Sequence, residues 1–299
     1  MIEKRLVQWY AAESGVDLDI AEREIVLTYV LHLLAEKGLL QRIVFKGGTA
    51  IRKLHLGRTG RFSLDLDFSA IDADTPADLA LDLVTVLHDQ TYLGLSFTIA
   101  DADYYATADS CGIIVTYRHA WLTNGRFEIQ VSFRAALLLP VQSTALLHER
   151  YFEWLEFEPP LTPALHLHEM LGEKIRAATQ RCRVRDLYDL YQFARQPYDR
   201  SQVRRIAVLK CWETHSLFEP QVFLESLPVA KYDWADLKRL VRREQLLAPD
   251  TLIQEVQQAY GFLCALTSEE VELAADPYGR QTQIYTTLVE SLGSNSPAT

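Results

Sequence analysis

Two carboxylates, Asp65 and Asp67, stand in the run Phe62-Ser63-Leu64-Asp65-Leu66-Asp67-Phe68, and Asp65 follows the stretch Lys46-Gly47-Gly48-Thr49-Ala50 by fifteen residues. The alternation predicts a strand that sends both aspartates to one face and Leu64, Leu66 and Phe68 to the other. Like charges so close either share a proton or hold a hard divalent cation through oxygen ligands. Mg²⁺ is the natural occupant. An ion held by one or two protein carboxylates fills its remaining positions with water and substrate phosphate, so the pair points to metal-assisted work on a phosphate. The glycines agree. Gly47 and Gly48 follow the apolar strand Arg42-Ile43-Val44-Phe45 and precede a helix expected over Ala50 to His55, where bare backbone N–H groups and the helix N-terminus can hold a phosphate. Thr49 then serves either as a helix cap or as a hydroxyl for that phosphate.

A second constellation lies downstream in Glu173-Lys174-Ile175-Arg176-Ala177-Ala178-Thr179-Gln180-Arg181, followed by Arg185-Asp186-Leu187-Tyr188-Asp189-Leu190. On one helix Lys174, Ala178 and Arg181 share a face, two cations around a small residue, which suits a triphosphate. Asp186 and Asp189 are three apart and project together, leaving Leu187, Leu190 and Tyr191 for the core. His166 and His168 are two apart, point to different faces of a helix and read as structural. Tyr188, Tyr191 and Phe193 read as core.

The order strand, Gly-Gly-Thr, helix, strand with Asp-x-Asp resembles the DNA polymerase beta-like nucleotidyltransferase superfamily. Phe45-Lys46-Gly47-Gly48-Thr49-Ala50-Ile51 with Arg61-Phe62-Ser63-Leu64-Asp65-Leu66-Asp67-Phe68, together with the Lys174 and Asp186 blocks, is similar to its AbiEii/AbiGii toxin branch and to the MenT-type toxins. The resemblance covers roughly residues 40 to 195. Thr49 stands where the wider superfamily prefers serine, and Leu64 where the branch often carries an acid. The resemblance implies an enzyme that binds an NTP with Mg²⁺, one ion or two, with Mn²⁺ as a substitute, and transfers the nucleotide to an acceptor hydroxyl with release of pyrophosphate. Asp65 and Asp67 would hold the metal; Gly47, Gly48, Thr49, Lys174 and Arg181 would hold the nucleotide; Lys174 and Asp186 would complete the catalytic set. Two candidates stand for a third carboxylate, Glu128 in Phe127-Glu128-Ile129-Gln130-Val131, and Asp186. The implied acceptor is the 3′ end of a tRNA, and the implied partner a cognate antitoxin in a toxin–antitoxin or abortive-infection system directed at phage. The alternatives are transfer to a small molecule or a protein side chain, or a non-catalytic NTP-binding regulatory module.

The 299 residues suffice for two domains, and 48% hydrophobic composition supplies cores for both. No apolar run reaches bilayer length, and Met1-Ile2-Glu3-Lys4-Arg5 lacks the apolar segment of a signal peptide, so a cytoplasmic protein without membrane contact is expected. Cys111, Cys182, Cys211 and Cys264 have no paired spacing and read as reduced thiols. A net charge of −10 is unusual for a protein that grips nucleic acid, but Arg181, Arg183, Arg185, Arg195, Arg200, Arg204 and Arg205 crowd one short span.

The elements that must position these residues read as an α+β fold: a nucleotidyltransferase-like mixed sheet with flanking helices over residues 1–160, then a helical domain over 161–299. Asp19 and Glu22 suggest a capping box for the helix that stops at Gly38. Thr75-Pro76 opens a helix to about Gln90. Strands follow at 95–100, 112–117 and 126–133, with Asn124-Gly125 as a hairpin turn. Glu158-Pro159-Pro160 marks the boundary, Thr162-Pro163 opens a helix to 180, and further helices are expected over 184–195, 201–214, 233–245, 250–265 and 268–290. The last residues, from Gly293 to Thr299, read as a frayed tail.

Overall fold

The computed structural model describes residues 2–71, 75–134, 136–227 and 231–294. The expected tail therefore lies largely outside the described residues, with 293 and 294 still inside the last helix. In chain order the elements are α1 (Lys4–Ser14), α2 (Leu18–Glu36), β1 (Ile43–Lys46), α3 (Gly47–Ala50, continued by a π-helical turn to Leu56), β2 (Leu66–Ala70) and α4 (Pro76–Leu87). Next come β3 (Thr91–Tyr92), β4 (Leu95–Thr98), β5 (Tyr104–Ala106), β6 (Ser110–His119), β7 (Leu122–Ser132), β8 (Gln142–Thr144) and β9 (Thr162–Ala164). The rest is helical: α5 (Leu167–Gln180), α6 (Val184–Phe193), α7 (Arg200–Glu213), α8 (Pro220–Glu225), α9 (Trp234–Leu240), α10 (Pro249–Ala259), α11 (Ser268–Ala274) and α12 (Thr282–Ser294).

The strands form one mixed sheet in the order β3-β4-β6-β7-β2-β1-β9-β8, with β5 also paired to β6. β2 runs parallel to β7 and β1 parallel to β9, while the other pairs are antiparallel. One face of the central strands is wholly apolar: Phe45, Leu66, Phe68, Ile113, Val115, Ile129 and Val131 are all buried. Helix α2 is buried nearly all round, as a helix with apolar residues on every side must be. Helix α4 starts as its sequence predicts, Thr75 accepting from the Asp78 N–H with Pro76 in the first turn, and buries Leu79, Leu83 and Leu87.

The chain falls into two compact units. The first comprises Met1–Arg134, Val141–Ala164 and Lys238–Gln245; the second comprises Ala135–Pro140, Leu165–Leu237 and Leu246–Thr299. A single cut at 160 thus misses two excursions. Lys238–Gln245 belongs to the first unit because the Leu240 carbonyl accepts from the Phe62 N–H at 2.7 Å, and Arg242 and Gln245 donate to the Arg58 carbonyl at 3.2 and 3.0 Å.

Other local expectations change. Asp17, not Asp19, precedes α2, and Glu22 is buried beside the Tyr117 hydroxyl at 2.7 Å and His119 Nε2 at 2.8 Å. Asn124-Gly125 is inside β7 instead of at the hairpin tip, since Gly125 pairs with Tyr117 and a Cβ there would come 2.2 Å from the Tyr117 ring. The glycine serves close approach, not a turn. Thr162-Pro163 forms β9 at the sheet, and the helix begins only at Leu167, capped by His166, whose ring nitrogen accepts from the His168 N–H. The stretch 268–290 splits into α11 and α12, and α8 was not anticipated.

Candidate active site

Asp67 lies in β2, with Lys46 of β1 opposite it on one side and Gln130 of β7 on the other. Residues in register point to the same face of a sheet, so Lys46, Asp67 and Gln130 form one row. Asp65 immediately precedes the strand, and its Oδ1 accepts from the Glu128 N–H at 3.2 Å. Asp65, Asp67 and Glu128 thus share the polar face, opposite buried Leu66 and Phe68. Burial first, and then the negative charges of Asp65 and Asp67, push the Glu128 carboxyl above its ordinary range. The three acids crowd one another electrostatically, a strain a divalent cation would relieve.

The Gly47-Gly48 turn is built against this pair. Gly47 has φ +77°, and a Cβ there would come 2.2 Å from Asp67 Oδ2 and 2.7 Å from Asp67 Cβ, so no other residue fits. A Cβ on Gly48 would come 2.4 Å from Arg61 Nη2 and 3.1 Å from Ser63 Oγ. Arg61, 4% exposed, therefore backs the turn with a buried guanidinium. The Thr49 hydroxyl is fully buried and donates to the Asp65 carbonyl. Its structural work is to fix the chain just ahead of the Asp-x-Asp strand.

Behind α3 stands a buried ionic cluster that local sequence reading did not single out. Arg52 donates to the Gly57 and Gly60 carbonyls at 2.9 and 2.7 Å and to Glu149 at 3.0 Å, and its guanidinium stacks 3.8 Å from the Phe62 ring centre. Lys53 donates to Glu24 Oε1 at 2.7 Å and to the Thr28 hydroxyl at 2.9 Å. Buried charges persist only when paired in this way. These contacts hold residues 57–62, the segment that delivers Asp65. Arg61 was visible in the motif itself; Arg52, Lys53 and Arg242 gave no signal, because nothing in a one-dimensional pattern marks a helix cation as buried.

In the second unit Lys174 Nζ lies 3.0 Å from Asp186 Oδ1 and 2.8 Å from Asp189 Oδ2. Arg181 donates from Nε to Asp186 Oδ2 at 2.8 Å and from Nη2 to Oδ1 at 3.2 Å. Arg181 is not on the helix with Lys174: α5 ends at Gln180, and Arg181 is extended, with φ −143°. Its bidentate pair with Asp186 bridges α5 and α6 across the bend. Burial works against ionisation of Asp186, yet Lys174 and then Arg181 hold its carboxyl far below the usual range. Asp186 is thereby committed to two cations. Much of the arginine-rich span is paired as well. Arg185 binds Asp236, and Arg204 and Arg205 share Glu270. Tyr188, Tyr191 and Phe193 are core residues, and His168 binds Gln202 and the Asp199 N–H.

The donor set near Asp65 and Asp67 fits a magnesium-type ion better than a caged one. Among the described residues no group of three or more His, Cys, Asp or Glu is arranged to hold a metal. Two hard carboxylates with a third acid nearby leave ligand positions for water and phosphate, as Mg²⁺ requires. All four cysteines are free thiols, Cys111 and Cys211 buried, Cys182 and Cys264 exposed. No helix among the described residues is long and apolar enough to cross a membrane.

No curated protein sequence matches the chain significantly. Among solved structures it is similar to MenT4, a nucleotidyltransferase toxin from Mycobacterium tuberculosis H37Rv, with a TM-score of 0.84 and 25% identity over 98% of this chain and 99% of that one. Residues 29–265 match the pattern of the family described as nucleotidyl transferase AbiEii toxin, type IV toxin–antitoxin system. That span contains both the Asp-x-Asp face and the Lys174–Asp186 cluster, and the chain belongs to the AbiEii family of nucleotidyltransferase toxins.

Proposed function

We propose that the protein transfers a nucleotide from an NTP, with Mg²⁺, to the 3′ end of a tRNA, as the toxin of a pair restrained by a cognate antitoxin. The observation that carries the chemistry is the placement of Asp65 and Asp67 on one face, with Gly47 packed against the Asp67 carboxylate. Asp65 and Asp67 hold the ion. When bound, Mg²⁺ lowers the pKa of the acceptor hydroxyl and neutralises charge on the leaving phosphates. The backbone N–H groups at Gly47 and Gly48 receive phosphate oxygens beside that pair, where only glycine leaves room. Thr49 positions Asp65 through its carbonyl instead of gripping phosphate with its hydroxyl. Glu128, one row along the same face, orients Asp65 through its N–H, while Asp186 already serves Lys174 and Arg181. Lys174 and Arg181 are assigned to the triphosphate, with Asp186 as the group that aims both. The catalytic part is the first unit, to which residues 238–245 also belong, and the helical part is the second.

The test is incubation of purified protein with labelled NTPs, Mg²⁺ and total cell RNA, with EDTA and Mn²⁺ arms. Label in tRNA that EDTA abolishes supports the reading; label appearing only in small molecules overturns the acceptor. One observation favours that second reading. With Arg185, Arg204 and Arg205 paired to acids and a net charge of −10, these three residues contribute little basic surface for RNA phosphates. Salt separates the two: transfer to tRNA falls steeply as salt rises, whereas transfer to a small acceptor does not.

A further inference from the structure

Lys46 closes β1, half-buried, and the antiparallel register sets it directly opposite Asp67. Opposed residues send their side chains to one face with Cβ atoms about 5 Å apart. Phe45 and Phe68, the neighbouring pair, meet on the buried face with ring centres 5.2 Å apart, so a slip in register would drive Lys46 into the core. The row runs Lys46, Asp67, Gln130, and Gln130 donates to the Tyr105 hydroxyl at 2.7 Å. Lys46 is thus the cation of this row. The next residue in the chain is Gly47, where a Cβ would come 2.2 Å from Asp67 Oδ2. A phosphate chain that reaches from the Asp67 side to the Gly47–Gly48 amides therefore passes beside Lys46.

The cations of the second unit are placed differently. Lys174 lies between Asp186 and Asp189, and Arg181 forks onto Asp186, so both are fixed by buried acids. The acid opposite Lys46 is one that the proposed metal needs. With Asp67 committed to a divalent ion, the Lys46 ammonium meets a like charge there and has phosphate as its alternative partner, a change that a four-carbon stem with rotatable donors can make. The reacting phosphorus is the one beside the ion-holding carboxylates, which leaves the two phosphates beyond it for the glycine amides. We propose that Lys46 is a further catalytic residue, binding a non-bridging oxygen of the NTP α-phosphate. The bond from the acceptor oxygen to phosphorus forms, the bond to the bridging oxygen breaks with its electron pair leaving on pyrophosphate, and the acceptor proton passes to water. Lys46 keeps its protons throughout and offsets the charge that gathers on the non-bridging oxygens. This role rests on the nucleotidyltransferase reading and names the phosphate that the cation beside Asp67 serves.

The test compares full-length wild type with Lys46→Met, Lys46→Gln and Lys46→Arg. Calorimetry with Mg²⁺ measures binding of α,β-methylene NTPs, which keep the α-phosphate, and of inorganic pyrophosphate, which stands in for the two outer phosphates. Electron paramagnetic resonance follows Mn²⁺ binding without nucleotide. In the two neutral variants the analogue is expected to bind about tenfold more weakly, as loss of a hydrogen bond to a charged group implies. Pyrophosphate binding should be unchanged, Mn²⁺ binding unchanged or tighter, and Lys46→Arg should keep most of the analogue affinity. Transfer from labelled NTP to tRNA should fall in kcat on the order of a hundredfold in the neutral variants. Equal analogue affinity in all four proteins overturns the contact, and with tighter Mn²⁺ binding it makes Lys46 a partner of Asp67 alone. Parallel weakening of analogue, pyrophosphate and Mn²⁺ also overturns it, by marking a strand that has lost its shape. Wild-type transfer that the neutral variants match sinks Lys46 and spares the enzyme reading. Selective loss of analogue binding without any transfer by wild type does the reverse, keeping Lys46 on the phosphate.

Discussion

In the first unit Asp65, Asp67 and Glu128 crowd one face of the sheet, and burial, then the charges of the two aspartates, raises the proton affinity of Glu128. In the second unit Asp186 and Asp189 are buried more deeply, yet Asp186 is strongly ionised because Lys174 and Arg181 surround it. The residue types are the same and the electrostatic effect on the acid is opposite. On the first face the three acids share the polar side of the strands with Lys46, in register with Asp67. A cluster already neutralised is a fixed scaffold that orients its own cations. Two nearby aspartates in the sequence thus end in different surroundings, a strand face shared with Glu128 in the first unit and a buried helix cluster ion-paired to Lys174 and Arg181 in the second.

The hardest break is at the sheet face. Asp65→Asn or Asp67→Asn is expected to lower nucleotide transfer by more than about a hundredfold, beyond what loss of an outer partner of a metal ligand costs. Both variants should remain folded, with the helical circular dichroism of the wild type. Either variant turning over at the wild-type rate removes the metal assignment.

Lys174→Ala acts on the balanced cluster and should lower stability. It leaves Asp186 with one cation fewer and strips Asp189 of its Lys174 contact, a change that typically costs about 3–5 kcal/mol and lowers the Tm on the order of 10 °C. Adding Asp189→Asn should recover part of that loss. A Lys174→Ala protein with the wild-type melt and an unchanged KM for NTP would place Lys174 outside both roles.

The pH profile sharpens the contrast next. The folded-state pKa of Asp186 lies below its unfolded value, so its contribution is present above pH ~4 and is lost as pH falls from there toward the folded value. Urea unfolding of wild type and Asp186→Asn should differ most near pH 6, and the gap should narrow below pH ~4. A gap that widens on acidification contradicts the pairing.

Glu128 carries the smallest effect and the opposite sign. Its folded pKa is raised, so ionisation is disfavoured in the fold; the cost begins as pH rises past the unfolded value of roughly 4 and is fully felt above the raised one. Glu128→Gln should raise the metal-free Tm at pH 7 by about 1–2 °C and leave it unchanged near pH 4. Calorimetry at the two pH values decides it, and a lower Tm at pH 7 would mean that Glu128 is stabilised by something other than its neighbours.

The legible parts were those written in local pattern. Alternation placed Asp65 and Asp67 together opposite Leu66 and Phe68, and the cap at Thr75-Pro76 opened α4 where expected. Gly47 read as a phosphate turn, yet its need for glycine comes from Asp67, twenty residues away in the chain and in contact in space. Gly125 shows the converse: Asn-Gly is a strong turn signal, and it was overridden because the Tyr117 ring occupies the space above the strand. Thr162-Pro163 carried every local mark of a helix start, and pairing with β1 and β8 made it a strand.

By itself the sequence determined the alternation of Asp65 and Asp67, the start of α4 and the family, the first two because each rests on residues within a few positions of one another, the family because several short motifs occur together. Tertiary structure alone decided which charges are balanced. That Asp186 faces Lys174 and Arg181, that Arg204 and Arg205 share Glu270, that Arg52 braces the loop before Asp65 and that Leu240 binds Phe62 all depend on distances between residues far apart in the chain. Electrostatic energy depends on separation and burial, and neither is encoded by a residue's neighbours in sequence.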